Sequence, residues 1–424
     1  MDIHDSNKKI AVIGAGVAGL TAAYLLSKKF NVHLFEKNHY FGGHANTITI
    51  PHGADAGMPV DTGFIVFNKQ NYPTFLSLLN RLKVPYQQSD MSFSYFSQHP
   101  YFMYSSDVPW GLFGLKRNWV SPSFYHLISE ILRFNKQATH DAIAISNLPD
   151  TLGEYLTAHN FSRSLIRSYI IPMGSAIWSS SFNETMAMPT HTFLHFWRNH
   201  GLLQITNRPS WYTINGGSRT YVNAIINKIP NVSLNKAATS IARFDNGVRI
   251  QTEDHQECFC DYVVIATHAN EALALLENPT DDEQRLLGSW DYSTNHTLFH
   301  TDPSQLPPKK QCWASWNYLQ TSQTNDSPVT VSYYMNRLQS LRSKTPYIVT
   351  LNPQTPIHDS YIIKELTYTH PCFNKTSIAT QAELPSLNNK NHTFFCGSYF
   401  KYGFHEDAAS SGAAIAKQFG ITLL

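Results

Sequence analysis

Long apolar runs are missing from this chain. None reaches the roughly eighteen residues a spanning helix needs, which excludes an integral helical membrane protein. An excess of one charge is missing too. With 32 Lys and Arg against 30 Asp and Glu, the net charge of +2 lacks the field that steers proteins to nucleic acid. Cysteine is scarce: Cys258, Cys260, Cys312, Cys372 and Cys396 form an odd set with no CxxC. That excludes a disulfide framework and points to a reduced, cytoplasmic protein. Cys258 and Cys260 alternate along an expected strand and read as small buried side chains. The opening MDIHDSNKK lacks an apolar signal core and is expected as a frayed polar arm. His191 and His195 stand four apart, one turn from His200. Without a Glu in the HExxH place or a third ligand, no metal is expected.

What is present begins at Ile10. Ile10 to Ile13 is a short apolar run, as expected of a strand buried on both faces of a parallel sheet. Gly14-Ala15-Gly16-Val17-Ala18-Gly19 follows at once. Gly14 permits a tight turn, Gly16 lets backbone approach a pyrophosphate, and Gly19 lets the next helix pack on the strand. Leu20 to Lys29 continues as a helix, its unpaired N–H groups and positive dipole end aimed at the phosphates. Val32 to Phe35 reads as the second strand, with Glu36 at its end to accept from ribose hydroxyls and repel a 2′-phosphate. The alternative for Glu36 is a solvated strand end.

Gly42-Gly43 lies six positions past Glu36 and leads into His44-Ala45-Asn46-Thr47. This resembles the FAD-binding signature of the flavin amine oxidase and phytoene desaturase superfamily, in which a second glycine pair passes close to the dinucleotide. Members usually carry Arg after the pair, where His44 stands here.

Later segments extend the resemblance. "INGGSRTYVNAI" carries Gly216-Gly217-Ser218 ahead of a helix, and Asp245-Asn246-Gly247 is a hairpin signal. "DYVVIAT", ending at Thr267, would rejoin the parallel sheet. The terminal "FFCGSYFKYGFHEDAASSGAAIAKQF" resembles the last flavin-binding segment: strand, glycine turn, then a helix aimed at the isoalloxazine. Taken with "VDTGFIVFN", "PMGSAIWS" and "WASWNY", the chain is similar to a bacterial branch labelled flavin-containing amine oxidases or NAD/FAD-binding proteins. That branch is associated with genes for cyclopropane-type lipid modification.

The resemblance implies an α/β fold. A Rossmann-like FAD/NAD(P)-binding domain of glutathione reductase type, amine oxidase-like, would carry an inserted α+β substrate domain. Its length of 424 residues also suits two domains. The FAD domain is expected from residues 1–75, 214–288 and 388–424. A substrate domain would combine helices from 76–213 with strands from 289–387. Noncovalent FAD is expected, although Cys372 lies in the broad region where some members attach flavin through a thioether.

The cofactor set implied is Gly14, Gly16, Val17, Ala18, Gly19, Glu36, Lys37, Gly42, Gly43, His44, Thr62, Gly63, Ala238, Ala266, Gly397, Ser398, Phe404, His405, Glu406 and Asp407. Ala238 takes the place of a Val whose backbone meets adenine. Asp407 and Ser410 have the alternative role of helix caps. The catalytic candidates are His405, beside the ring in the resemblance, with Tyr368 and Trp316. Trp316 and Tyr368 have packing as their alternative, and His370 that of bracing the Pro371 turn.

Two features argue against amine oxidation. Phe404 replaces a tyrosine of the aromatic cage, and no lysine is evident near flavin N5. Lys364 has the alternative of facing solvent on an edge strand. Twelve aromatic residues between Phe93 and Phe134, broken by Pro100, Pro109, Gly111, Gly114 and Pro122, suit either an apolar pocket wall or a membrane-touching surface.

The expected function is hydride transfer from a substrate C–H to flavin N5 on an apolar, fatty-acyl substrate. The alternatives are a double-bond isomerase, a true amine oxidase or a lipid-binding protein without turnover. The expected partner is a small molecule or lipid, with peripheral membrane contact as an option.

Overall fold

The computed structural model describes residues 7–143, 148–204, 206, 208–320 and 329–423. The first six residues of the expected polar arm lie outside that set.

Five parallel strands form the nucleotide side. In spatial order they are Asn231–Ser233, β2 (Asn31–Phe35), β1 (Lys9–Ile13), Tyr262–Ile265 and Thr393–Phe395. Apolar residues fill them because both faces are covered: Ile10, Ala11 and Val12 are buried, as are Val263, Val264 and Phe394. β1 is central, pairing Ile10 with Val32 on one side and with Tyr262 on the other. Chain order reverses around it, so a crevice opens at its carboxyl end. Helix α1 (Val17–Leu26) lies buried along its whole length. The last helix, His405–Gln418, crosses it so closely that a Cβ on Gly412 would stand 2.2 Å from the Ala18 carbonyl oxygen.

The hairpin signal at Asp245-Asn246-Gly247 joins Ala238–Phe244 to Gly247–Thr252, and Glu257–Cys260 completes that antiparallel sheet. Cys260 is buried and Cys258 partly so, their sulfurs 3.5 Å apart. Gly216 and Gly217 take positive φ ahead of the helix Arg219–Ile226. Ser218 then donates N–H and hydroxyl to buried Asp61.

A seven-stranded sheet faces the crevice, in the order Ile362–Pro371, Tyr292–His300, Ile348–Leu351, Thr330–Tyr334, Trp316–Gln320, Phe93–Ser97, Phe102–Ser105. The segment 76–213 therefore supplies strands as well as helices. Phe93–Ser97 runs parallel to Trp316–Gln320 and stitches the two stretches of chain together. Helices Ile171–Trp178 and Thr190–Asn199 roof the far end of the crevice.

Candidate active site

A cavity of about 1070 Å³ runs from the carboxyl end of β1 to the seven-stranded sheet. At the nucleotide end, Gly14 turns with φ +96° and its N–H bonds to the Phe35 carbonyl. The Gly42 N–H donates to the Ala15 carbonyl at 2.9 Å, which locks the second glycine pair against the first. Gly43 presses on Gly16, and a Cβ on Gly43 would stand 3.2 Å from the Gly16 Cα.

Gly16 itself has φ −68°, open to any residue, and a Cβ there would meet nothing within 4 Å. Neither backbone nor packing requires glycine at this position. The space it leaves at the cavity wall suits a pyrophosphate, which would pass where a side chain would stand. Glu36 is buried, accepting from Ala15 N–H and from both Asn38 nitrogens, each at 2.8 Å. Its carboxylate ties the end of β2 to the glycine loop.

Most of the expected cofactor residues line this cavity: Gly14, Gly16, Val17, Ala18, Glu36, Lys37, Gly42, Gly43, His44, Thr62, Gly63, Ala238, Ala266, Gly397, Ser398, Phe404 and His405. Three do not. Gly19 serves packing alone, since a Cβ on it would stand 1.9 Å from the Gly14 carbonyl oxygen. Glu406 turns away to accept from the N–H groups of Thr74 and Phe75, both at 2.9 Å, and so caps helix α2 (Pro73–Leu82). Asp407 caps its own helix, accepting from Phe404 N–H at 3.0 Å and Tyr402 N–H at 3.2 Å. Burial pushes the Asp407 carboxyl up to about 7. Gly19 thus has the packing role expected of it, Asp407 the helix-cap role that was its alternative, and the Glu406 carboxylate is engaged with α2 and does not face the cavity.

The catalytic candidates also line the cavity, where His405 Nε2 and the Tyr368 hydroxyl have partners and the Trp316 indole N–H is covered. His405 stacks on Phe64 at 3.6 Å and meets Phe75 edge-on at 4.9 Å. Its Nε2 sits 2.9 Å from the Tyr221 hydroxyl. Burial, with His44 nearby, drives its pKa well below the usual imidazole range, so the ring is neutral and clamped. Its Nε2 contact with Tyr221 and its stack on Phe64 brace the ring at the cavity wall. Tyr368 holds its hydroxyl 2.8 Å from Thr62 Oγ1 and accepts from Asn46 Nδ2 at 3.1 Å, and burial raises its pKa. It is a wall residue, as is Trp316, whose covered indole N–H has no partner and whose ring meets Tyr333 edge-on.

His44, expected at the cofactor, and His370, expected near the flavin, are joined between the two ends by His268, which sequence reasoning missed. His44 and His370 have ring centroids 5.3 Å apart, and His44 and His268 lie 6.2 Å apart. The three come from the glycine-pair loop, the edge strand and the turn after Ile265. His44 Nε2 lies 3.1 Å from the Thr369 carbonyl and so carries the proton. Burial, reinforced by His370 and then His268, pulls His44 down to about 3. Burial pulls His370 to about 4 and also lowers His268. The cluster is uncharged in this form.

The far end is apolar: Met91, Phe93, Met173, Ile177, Leu202 and Leu351 line it. Phe404 stacks on Phe196 with centroids 4.6 Å apart and planes 22° apart. The lysines lining the cavity, among the described residues, are Lys37 and Lys236, both at the nucleotide end; Lys37 is paired with Glu271 at 2.6 Å. Lys364 is exposed on the edge strand. Arg208, exposed, is the cation lining the apolar end. No cysteine lines the cavity among the described residues, Cys372 included.

A parallel sheet with a doubled glycine cradle, opening on an apolar chamber, defines a flavin-dinucleotide enzyme. Residues 17–352 match the family described as flavin containing amine oxidoreductase, and the chain belongs to that family. Its cofactor is FAD.

Among solved structures, the fatty acid isomerase of P. acnes that produces CLA is 15% identical, with a TM-score of 0.70 over 98% of this chain and 99% of that one. Cyclohexylamine oxidase from Brevibacterium oxydans IH-35A is 14% identical, at 0.69 over 98% and 100%. Putrescine oxidase bound to putrescine is 12% identical, at 0.70 over 97% and 98%. At these identities the likeness concerns the fold. No curated protein matches the sequence. Among the described residues, no helix is long and apolar enough to cross a membrane.

Proposed function

We propose that this flavin oxidoreductase acts on an apolar substrate, a fatty-acyl chain of the lipid class, and binds FAD noncovalently. The domain partition we propose is the one read from the sequence: 1–75, 214–288 and 388–424 for FAD, 76–213 and 289–387 for substrate. FAD, when bound, supplies the hydride acceptor.

The chain's own residues do the rest. Gly16 and Gly43 make room for the pyrophosphate, and Glu36 stands at the ribose end. Met173, Ile177, Leu202 and Leu351 exclude water and hold an alkyl chain. Arg208 at the rim offers a partner to an anionic head group.

The observation that carries this reading is the Phe196–Phe404 stack. An ammonium held by an aromatic cage needs space between two ring faces. These faces lie 4.6 Å apart and cover one another. The resemblance read in the sequence to a branch associated with lipid-modification genes supports the same substrate class.

Anaerobic mixing with unsaturated fatty acids and phospholipids tests the proposal. Lasting loss of the oxidised flavin spectrum is expected, and Arg208→Glu should raise KM for a free acid more than it changes kcat. Product without net bleaching would assign an isomerase instead. No product and no bleaching would leave binding alone.

A further inference from the structure

Half of the exposed large apolar side chains among the described residues fall between residues 101 and 125. Val108 is 74% exposed, Trp110 75% and Val120 80%, with Trp119 at 49% and Tyr101 and Tyr125 close behind. Scattered single residues of this kind need no explanation, but six gathered within one segment do.

The segment is not a frayed loop. Asn118 is buried beneath it, donating from Nδ2 to the Met103 carbonyl at 3.1 Å and the Leu112 carbonyl at 3.4 Å. Met103, Leu115 and Cys312 form a small separate core under the patch. Gln311 Nε2 ties down the Gly114 carbonyl at 2.8 Å. On this base Trp119 stacks on Phe113 at 4.0 Å, and Tyr125 donates its hydroxyl to the Trp119 carbonyl at 3.0 Å. The apolar surface is built and held outward.

Its charge is one-sided. From Val108 to Ser129 the sequence has no Asp or Glu, while Lys116 and Arg117 are exposed within it. The acids that border the stretch are ion-paired: Asp107 at 2.6 Å with Arg337, which Asp90 shares, and Glu130 at 2.7 Å with Arg133. Exposed tryptophans and tyrosines flanked by basic residues match the chemistry of an anionic lipid interface.

We propose that this face docks on an anionic phospholipid bilayer. The patch adjoins the chamber: the Ser106 N–H bonds to the Phe93 carbonyl at 2.8 Å, and Phe93 lines the cavity. Docking goes beyond the fatty-acyl reading and rests on the surface alone, since it needs no turnover.

The test is flotation of the purified FAD-loaded protein with vesicles of equal parts phosphatidylglycerol and phosphatidylcholine, against phosphatidylcholine alone. Binding to the anionic vesicles is expected, weakening with added salt. Lys116→Gln and Arg117→Gln should each weaken it about fivefold. Trp110→Ser and Val120→Ser, on side chains that pack on little, should weaken it further while FAD content and thermal midpoint stay unchanged. Equal flotation with both vesicle types, or none, would overturn the proposal. So would a concentration-dependent dimer that Trp110→Ser abolishes without any vesicle binding, which would assign the face to a second copy of the chain. If acyl substrates fail to reduce the flavin while flotation persists, the substrate reading falls and the docking stands.

Discussion

Gly19 packs so closely on Gly14 that an added Cβ would stand 1.9 Å from the Gly14 carbonyl oxygen. Three residues earlier, Gly16 has no such neighbour. The two glycines of one motif therefore answer to different partners, and substitution separates them. Gly19→Ala should destabilise the fold by about 1–3 kcal/mol through overpacking. Gly16→Val should leave the thermal midpoint of the apoprotein nearly unchanged and abolish FAD retention, because the valine fills the pyrophosphate's space. Glu36→Ala should weaken FAD by about 1–3 kcal/mol through lost hydrogen bonds. Calorimetry and the flavin absorbance of the purified variants measure both effects. A yellow Gly16→Val protein would refute the placement of the dinucleotide.

The nucleotide end was legible because its constraints are local. A strand, a glycine turn and a helix follow one another within residues 9–26, and Glu36 closes the next strand. What was not legible depends on residues far apart in the chain. His44, His268 and His370 meet only because three segments converge on one crevice.

Glu406 looked like a flavin residue because its partners, Thr74 and Phe75, lie over three hundred positions away. One signal could have found them. Helix α2 opens on Tyr72-Pro73, and a tyrosine cannot cap the N–H groups that follow, so an acceptor from elsewhere was required. The aromatic stretch was readable as apolar wall or outer surface but not as both. Phe93 lines the cavity, and Trp110 faces out.

His44 takes the place that Arg holds in the resemblance, and that exchange should make FAD binding pH-dependent. In the free protein burial keeps His44 near 3, hence neutral. A diphosphate beside it would raise that value, so binding takes up a proton. The gain in affinity is present below the bound-state pKa and lost as pH rises through it. Affinity should therefore grow as pH falls from the bound-state value toward about 3, by up to about tenfold per pH unit. His44→Asn should flatten the profile. Flavin fluorescence titrations across pH measure this, and an unchanged slope in the variant would remove His44 from the site.

Asp407 gives a second pH dependence, of stability rather than binding. Its carboxyl is pushed from 3.8 up to about 7 by burial, so the folded chain holds a proton that the unfolded chain releases. Stability from this group is full below pH 3.8 and falls as pH rises toward about 7. Asp407→Asn keeps an oxygen for the Phe404 and Tyr402 N–H groups and cannot ionise. Its thermal midpoint should vary less with pH than that of the parent across this window, and scanning calorimetry at several pH values makes the comparison. Parallel curves would show that Asp407 does not titrate there.

The stacked pair Phe196 and Phe404 sets the last expectation. With their faces 4.6 Å apart, the rings leave no slot for an ammonium, and no lysine lines the apolar end among the described residues. Primary amines and polyamines should therefore reduce the flavin negligibly. An acyl chain buried against Met173, Ile177 and Leu202 gains about 0.8 kcal/mol per methylene, so affinity should rise about fourfold for each added carbon until the chamber is full. Phe196→Ala exposes a face of Phe404 and opens the slot, which should admit small amines to measurable binding while weakening the acyl series. The measurement is anaerobic flavin reduction across amines, amino acids and unsaturated lipids of graded length, with parent and variant side by side. Rapid reduction of the parent by a simple amine, with none by any lipid, would make the chain an amine oxidase in substrate as well as in family.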